Sequence, residues 1–326
     1  RGHAVSVVAL PMRSYPRALL DKLSPRLLAL LRDAAFDLLL QDELAHPSCV
    51  RLNRRLRRTT PIVPIVHLLR VSQQWPAWQR PLYRFVERSY LSSADGLILV
   101  NPQLRERIAK LTGAELPAVV ARPAGDHAAG RISPERIHAR AHEPGPLRIL
   151  FVGNLTPLKN LHLVIDALAR LNPRDWRLDV IGNLEVDRAY THRLRRRIGL
   201  DGQVTLLGER PRSEVEAYLA RSHVLAMPSA PESYSIVYLE AMSHGLPVVA
   251  STASDSAAMI EHGGNGFLVA PGDADALACN LQLLMTDRER LARMGLAARR
   301  FYDAHPTWDE SMERVHQFLL SLRGHP

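Results

Sequence analysis

The chain has 326 residues, of which 46% are hydrophobic and 23% charged, an ordinary composition for a folded protein of about two domains. Its formal net charge is +9, and residues 1–70 hold twelve basic and five acidic residues. Such a surplus suits anionic lipid, acidic glycan or nucleic acid, and an ordinary solvated surface of arginines is an equally open interpretation. The sequence contains no apolar run of about 18 residues, so no membrane span is predicted, and no signal-peptide pattern is visible. Cys49 and Cys279 lie in neither metal-binding nor redox spacing, so we expect reduced thiols and a cytoplasmic location.

Short apolar runs alternate with amphipathic helical patterns in the first part of the chain. The predicted strands are Val5–Leu10, Asp37–Leu40, Ile62–His67, Gly96–Val100 and Ala118–Ala121. The helical patterns cover Ala18–Leu31, Pro81–Ser92 and Pro102–Leu111. Such alternation predicts a parallel sheet with helices on both faces.

A second series of the same kind follows. Its predicted strands are Leu147–Val152, Arg177–Ile181, Gln203–Leu207, Val224–Met227, Pro247–Ala250 and Gly266–Val269. Between the two series, residues 126–146 are rich in turn formers and lack an apolar period. The sequence therefore predicts an α/β protein of two doubly wound, Rossmann-like domains, residues 1–135 and 146–305. We expect the amphipathic stretch 308–322 to complete the first domain.

The first residues resemble the end of a helix that enters a second strand. The chain opens on Arg1-Gly2-His3-Ala4-Val5 and does not begin with Met. A doubly wound domain has a strand, a glycine-rich turn and a helix before that point, and this first strand normally lies centrally. We therefore expect a strand–helix unit of roughly 30–40 residues to be missing from the start.

Two glutamates near a predicted helix start are the first candidates for chemistry. Glu232 and Glu240 are eight residues apart, about 12 Å if the segment were helical throughout. That spacing suits a ligand with a polyol at each end, such as a hexose and a ribose joined by diphosphate. The backbone N–H groups of Ser233, Tyr234 and Ser235 would then meet the diphosphate. Spacing alone favours a plainer interpretation, in which Glu232 caps a helix and Glu240 is an ordinary helix residue.

The surrounding residues extend this pattern. After Glu240 come Ala-Met, then Gly245-Leu-Pro and Val-Val-Ala. Together they resemble the signature of the retaining family 4 glycosyltransferases, whose GT-B fold consists of two Rossmann-like domains facing across a cleft. Further similar stretches, at residues 93–101, 147–160, 204–219 and 265–273, extend the resemblance over nearly the whole chain.

The resemblance assigns roles to individual residues of this sequence. It implies that Glu232 contacts the donor hexose, that Glu240 contacts the ribose hydroxyls and that Lys159 neutralises the diphosphate. A fixed cation there would stabilise the charge that builds up on the leaving phosphate. Further donor-binding candidates are the segment Ser233–Ile236, Asn154 and Gly182.

Polar residues at strand ends of the first domain are the remaining candidates. His67 ends a predicted strand and so would face the crevice where ligands bind. The family has a histidine at this place, and the resemblance therefore implies a catalytic set of His67, Lys159 and Glu232. Arg70 is a weaker candidate for the same cleft, and residues 41–43 (Gln-Asp-Glu) are candidates for the acceptor side.

Several positions depart from the family pattern. Asn154 stands where the family often has arginine, so we expect that diphosphate cation to be absent or supplied by Arg210. Ser254-Asp255 replaces a Gly-Gly pair, and Ala258 replaces an acidic residue. Because an aspartate near a diphosphate is unfavourable, we expect this loop to be displaced or to select a different sugar.

The resemblance implies transfer of a hexose, with retention of configuration, from a UDP- or GDP-sugar to a hydroxyl of a glycan or lipid-linked acceptor. No metal or other cofactor is expected. Alternatives are a GT-B phosphorylase, a sugar-nucleotide epimerase, an inactive donor-binding fragment and a non-enzymic basic nucleic-acid or lipid-binding module. No helix-turn-helix, RNA-binding or zinc pattern supports nucleic acid as a partner.

A basic segment close to tryptophans suggests where an acceptor would be met. Arg51–Arg58 holds five arginines, and Trp75 and Trp78 follow nearby. Basic and aromatic residues together favour an anionic lipid surface. We therefore expect peripheral association with the inner face of a membrane.

Overall fold

Two parallel β-sheets, each in its own unit of the chain, organise the protein. A computed structural model describes residues 3–10, 14–21, 29, 36–56, 60–73, 75–125, 132–198, 202–229 and 232–323. The first unit is Arg1–Arg122 with Ser311–Pro326, and the second is Pro123–Glu310. No described helix has the length and apolar content that crossing a membrane requires.

The first unit contains a four-stranded sheet. Its strands are β1 (Leu39–Asp42), β2 (Ile62–Val66), β3 (Leu97–Leu99) and β4 (Ala118–Val120), paired in parallel in the order β1-β2-β3-β4. Its helices are α1 (Tyr15–Asp21), α2 (His46–Leu56), α3 (Arg80–Leu91), α4 (Gln103–Thr112) and, from the end of the chain, α12 (Trp308–Arg323). Val315 of α12 is buried with Val63 and Ile98 of the sheet, so the terminal helix contributes to this unit's core.

The second unit contains a six-stranded sheet. Its strands are β5 (Leu147–Val152), β6 (Trp176–Ile181), β7 (Val204–Gly208), β8 (Val224–Ala226), β9 (Val248–Ser251) and β10 (Gly266–Val269). All pairs are parallel, in the order β10-β9-β8-β5-β6-β7. Its helices are α5 (Pro134–Ala141), α6 (Leu161–Leu168), α7 (Arg188–Ile198), α8 (Arg212–Arg221), α9 (Ile236–Ser243), α10 (Ala274–Thr286) and α11 (Arg288–Asp303). Nearly every apolar side chain of β5, β8 and β9 is buried, as expected for central strands covered on both faces.

Two predictions near the start of the chain differ from the structure. Residues 3–10 form no strand, and Val5 and Val7 are 80% and 88% exposed. The prediction of a strand at Val5–Leu10 is therefore wrong, because a short apolar run makes a strand only where a neighbour pairs with it, and β1 pairs only with β2 among the described strands. Of the helix predicted at 18–31, residues 18–21 lie in α1, which begins earlier, at Tyr15, and residue 29 is helical. Residues 22–28, 30 and 31 lie outside the described part of the chain.

Helices α2 and α5 were not predicted, and residues 126–146 are therefore not merely a turn-rich boundary. Both helices have a proline in their first turn, where the missing N–H is tolerated. Ser133 caps α5, its Oγ accepting from the N–H of Arg136 at 3.3 Å. The other predicted strands begin and end within two residues of the observed ones.

A buried histidine joins the start of the second sheet to α5. His223 is 2% exposed, and its Nδ1 accepts a hydrogen bond from the backbone N–H of Arg148 at 2.9 Å. Its Nε2 donates to the carbonyl of Arg140 at 3.0 Å. Both ring nitrogens are thus satisfied in the neutral form. Burial, with the charges of Arg148 and Arg288, lowers the pKa of His223 to about 3.

We expect His223 to make the second unit sensitive to acid. Because the folded pKa lies below the unfolded value of 6.5, its stabilising contribution is complete above pH 6.5 and is lost as the pH falls towards 3. For this one proton the loss approaches about 1.4 kcal/mol per pH unit. Urea unfolding between pH 7 and pH 4 measures the slope, and His223→Gln, which keeps a donor for the Arg140 carbonyl, should flatten it. Exposed His192→Gln is the control, and equal slopes for wild type and His223→Gln would contradict the assignment.

Candidate functional site

The order in which strands are added to the second sheet reverses between β5 and β8. From β5 the chain runs outward through β6 and β7, and it then returns to the other side of β5 to continue through β8, β9 and β10. Loops that leave neighbouring strands in opposite directions open a crevice at the carboxyl ends of those strands, where open α/β sheets bind ligands. The loop after β5 carries Lys159, and the loop after β8 carries Glu232.

Lys159 and Glu232 meet in this crevice. The Lys159 Nζ lies 3.0 and 2.8 Å from the two carboxylate oxygens of Glu232. The lysine side chain is 28% exposed and the glutamate side chain 17%. The structure thus brings together two residues that are 73 positions apart and leaves them accessible to a ligand.

The Lys159 loop is fixed by the residue after it. Lys159 ends a 3₁₀ turn, Pro157–Lys159, and Asn160 follows with φ 55° and ψ 33°. Asparagine tolerates this left-handed conformation better than most residues. The Asn160 Nδ2 donates to the carbonyl of Pro228 at 2.8 Å, which ties the β5 loop to the β8 loop. Asn160 was not predicted as a site residue, because its role depends on a hydrogen bond to a loop 68 positions further along the chain.

A third strand-end loop supports Glu232 from the other side. The carbonyl of Glu232 accepts hydrogen bonds from the Asp255 N–H at 2.8 Å and the Ser254 Oγ at 2.9 Å. These residues follow β9, and Ala258 lies in the 3₁₀ turn Asp255–Met259 that they begin. The loop that departs from the family pattern therefore lies directly against Glu232.

Gly182 allows the ends of β5 and β6 to approach closely. It has φ 149°, and a Cβ there would lie 2.1 Å from the carbonyl oxygen of Gly153. Next to it, the Asn154 Oδ1 accepts from the Asn183 N–H at 3.3 Å. Asn154 thus helps to hold the backbone of the neighbouring loop. Arg210, the alternative cation, is paired with Glu214 at 3.4 Å.

Helix α9 begins next to Glu232. It starts at Ile236, with the buried Ser235 as N-cap, and the Ser235 side chain makes no capping hydrogen bond. The Tyr234 hydroxyl lies 2.8 Å from the His305 Nε2. Ser233 and Tyr234 lie between Glu232 and the helix, so their backbone precedes a helix N-terminus as predicted.

Glu240 lies in the second turn of α9 and forms no hydrogen bond to Lys159. Its carboxylate is half-buried, and burial raises its pKa although the charge of Arg212 opposes this. Because α9 begins only at Ile236, the fully helical spacing assumed between Glu232 and Glu240 does not apply. The two glutamates instead occupy a loop and a helix.

His67, the remaining member of the predicted catalytic set, belongs to the first unit. It follows β2, its side chain is 48% exposed, and its Nε2 lies 3.6 Å from the Asp42 Oδ2. The Glu43 Oε2 accepts from the backbone N–H groups of His67 and Leu68 at 2.6 and 2.8 Å. Burial nevertheless raises the pKa of Glu43 to about 8.

Arg70 is held by aromatic rings. Its guanidinium lies 4.5, 4.3 and 4.6 Å from the ring centroids of Tyr15, Trp75 and Tyr83. Such cation–π contacts stabilise a partly desolvated charge. With Gln41, Asp42 and Glu43, Arg70 lines a cavity of about 930 Å³ in the first unit. The structure thus places all four weaker candidates on one cavity.

Comparison with known families covers both units. The profile of the family described as "Glycosyl transferases group 1" matches residues 134–301, and that of "Glycosyl transferase 4-like domain" matches residues 1–125. Among curated proteins, a D-inositol 3-phosphate glycosyltransferase of Nocardia farcinica is 28% identical over 224 residues, which are 65% of this chain and 49% of that protein. The amylovoran biosynthesis glycosyltransferase AmsK of Erwinia amylovora is 32% identical over 183 residues, 52% of this chain and 44% of that protein. The chain therefore spans about half the length of these relatives.

Solved structures share the fold. Anabaena Alr3699/HepE in complex with UDP has a TM-score of 0.77 and 22% identity, over 92% of this chain and 83% of that one. The same protein has also been solved with UDP-glucose. This likeness confirms the predicted α/β, GT-B fold class.

Proposed function

Because the chain belongs to the glycosyl transferases group 1 family, we propose that it transfers a hexose from a nucleotide-diphosphate sugar to a hydroxyl of a glycan or lipid-linked acceptor. The ion pair of Lys159 and Glu232, at the point where the second sheet reverses, carries this proposal. Two observations support it. The curated relatives are named as glycosyltransferases, and the structural neighbour has been solved in complex with UDP and with UDP-glucose.

Lys159 and the start of α9 would hold the donor diphosphate. An incoming diphosphate would replace Glu232 as the partner of the Lys159 ammonium. The N–H groups at the start of α9 would add donors for the same anion. Glu232, released from the lysine, would accept hydrogen bonds from hexose hydroxyls beside it.

The reaction proposed for this arrangement requires no covalent enzyme intermediate. The bond from the sugar's anomeric carbon to the diphosphate oxygen breaks, and a bond from that carbon to the acceptor oxygen forms on the same face, so configuration is retained. The acceptor proton passes to the leaving phosphate oxygen. Lys159 stabilises the negative charge that builds up there, so we propose that no metal ion is needed.

Glu240 would bind the ribose, and removing its carboxylate should reduce the stabilisation of the protein by a nucleotide sugar. A ligand at one hundred times its Kd stabilises a protein by about 2.7 kcal/mol, a rise in Tm of several degrees. In a thermal-shift screen of UDP-, GDP- and ADP-sugars, we expect at least one donor to raise the Tm of the wild type. Glu240→Ala should lose this shift, because the half-buried carboxylate that accepts from the ribose hydroxyls is gone, and Glu232→Ala should lose part of it.

Exposed Glu106→Ala, on α4, is the control for that screen and should keep the full shift. A full shift in Glu240→Ala would exclude ribose binding by this residue. A wild type that responds to none of the nucleotide sugars would exclude the proposed donor class.

A surface of the first unit supports the proposal of membrane association. Arg51, Arg54 and Arg55 are exposed on α2, while Arg57 and Arg58 lie outside the described residues. Trp78, Leu82 and Phe85 follow a helical spacing and are 78%, 47% and 66% exposed. Trp75 is different, because it packs against Tyr83 and donates to the Arg70 carbonyl. Basic and apolar side chains on neighbouring helices suit the interface of an anionic bilayer.

We expect co-sedimentation with vesicles of anionic phospholipid at low salt and none with neutral vesicles. Changing Arg51, Arg54 and Arg55 together to Gln should weaken binding by about 3 kcal/mol, or roughly a hundredfold, at about 1 kcal/mol per arginine. The matched control changes Arg193, Arg195 and Arg196, which are exposed on α7, to Gln. Equal losses in the two triple variants, or no binding by the wild type, would exclude this surface.

A further inference from the structure

Two histidines and a glutamate converge on the surface of the second unit. His138 and His142 are four residues apart at the end of α5, and their rings are stacked with centroids 4.3 Å apart. Glu289 lies in the first turn of α11. Its Oε2 is 3.7 Å from the Nε2 of His138 and 3.5 Å from the Nε2 of His142. All three side chains are exposed, and none belongs to the donor site proposed above.

The ring of His142 is held in the form that binds a metal. Its Nδ1 lies 2.9 Å from the carbonyl oxygen of His138. Because a carbonyl only accepts, Nδ1 carries the proton, and the Nε2 that faces Glu289 keeps its lone pair. A histidine ligand whose other nitrogen donates to a backbone carbonyl is the usual arrangement at metal sites.

The separations of the three side chains fit a small cation. The candidate ligand atoms all lie within 4.8 Å of one another. Tetrahedral zinc has ligands at about 2.0–2.2 Å, which places neighbouring ligand atoms roughly 3.3 Å apart. The two distances to Glu289 are already within half an ångström of that value.

Close packing of α5 on α11 holds these residues in place. Ile137 of α5 is buried, and a Cβ on Gly295 of α11 would lie 2.9 Å from its Cγ2. Arg140 of α5 is also buried and donates to the carbonyls of His244 and Gly245 at 2.8 Å. A ligand set on two rigidly packed helices loses little conformational freedom when it binds.

We propose that His138, His142 and Glu289 form a binding site for a divalent transition-metal cation of the zinc class. Two imidazoles and one carboxylate favour zinc, nickel or copper over magnesium and calcium, which prefer oxygen ligands. Solvent would complete the coordination. The cation joins α5 to α11 and so stabilises the second unit. This site does not depend on the proposed transferase activity.

Calorimetric titration of tag-free protein, stripped with EDTA and dialysed, tests the site. We expect the wild type to bind one equivalent of zinc from ZnCl₂. His138→Ala or His142→Ala should weaken zinc binding at least tenfold, and the double variant should abolish it. Glu289→Gln should also weaken it, and MgCl₂ should give no signal at this site. Exposed His192→Ala is the matched control for the other histidines and should bind zinc as the wild type does.

Thermal unfolding supplies a second readout. Zinc should raise the Tm of the wild type and of His192→Ala but not of the double variant, while all three should melt alike in EDTA. Zinc binding of equal stoichiometry and affinity in the wild type and the double variant would overturn the site. So would the absence of zinc binding by the wild type, since the three residues would then form surface ion pairs only.

Discussion

Lys159→Ala should lower kcat/KM for glycosyl transfer by about 10²–10³-fold, equivalent to roughly 3–4 kcal/mol of lost transition-state stabilisation. Lys159 is the cation that faces Glu232 at the reversal point of the second sheet. Charge on the leaving diphosphate increases as the sugar bond breaks, so a fixed ammonium there favours the transition state over the bound donor. Steady-state assays with the donor selected by the thermal-shift screen measure the effect.

A second variant separates this electrostatic role from folding. Lys159→Ala leaves the largely buried Glu232 carboxylate without its partner, which by itself costs stability. Adding Glu232→Gln removes the unpaired charge, so the double variant should regain stability while activity stays low. Lys110→Ala, at an exposed lysine of the first unit, is the control and should keep wild-type kcat/KM. A kcat/KM within threefold of wild type for Lys159→Ala would exclude the proposed role.

Gly182→Ala should destabilise the protein by roughly 3–5 kcal/mol, because overpacking and backbone strain act at the same position. The new methyl would lie 2.1 Å from the Gly153 carbonyl oxygen at a residue with φ 149°. The ends of β5 and β6 would have to separate, and the Lys159 loop would move with β5. Donor binding should therefore fall together with stability.

Gly208→Ala is the matched control for this prediction. Gly208 ends the next strand with φ 75°, and a Cβ there would meet no atom within 4 Å. Only the cost of the left-handed backbone remains, about 1–2 kcal/mol. Urea unfolding compares the two variants, and equal losses would mean that the close approach of Gly182 to Gly153 does not stabilise the fold.

Periodicity predicted the sheets because each strand in the centre of a parallel sheet is a short, nearly continuous apolar run. Phe151 and Val249 lie in such runs and are fully buried. The same signal failed at Val5–Leu10, since an apolar run does not indicate whether a neighbouring strand is present to pair with it. Helix α5 was missed because Pro134 and a serine cap resemble a turn until the helix after them is seen.

The position of a functional side chain can be predicted from the sequence where the residue directly follows a strand, because it then lies at the carboxyl edge of the sheet. Lys159 and Glu232 were selected through a family resemblance, and the structure shows the contact that the sequence could not show. The residues that hold this pair in place could not be predicted in the same way. Asn160 and Ser254 act through single hydrogen bonds to the backbone of other loops, and nothing in local spacing distinguishes such residues from ordinary turn residues. The raised pKa of Glu43 likewise depends on burial by distant parts of the first unit.

The most direct test of the donor site is a crystal structure of the protein with the nucleotide sugar that gives the largest thermal shift. We expect the diphosphate to contact the Lys159 Nζ near the start of α9, the hexose to lie beside Glu232, and the ribose hydroxyls to be hydrogen-bonded to Glu240. A nucleotide bound away from the carboxyl ends of β5 and β8, or bound there without contact to Lys159 and Glu240, would contradict this expectation.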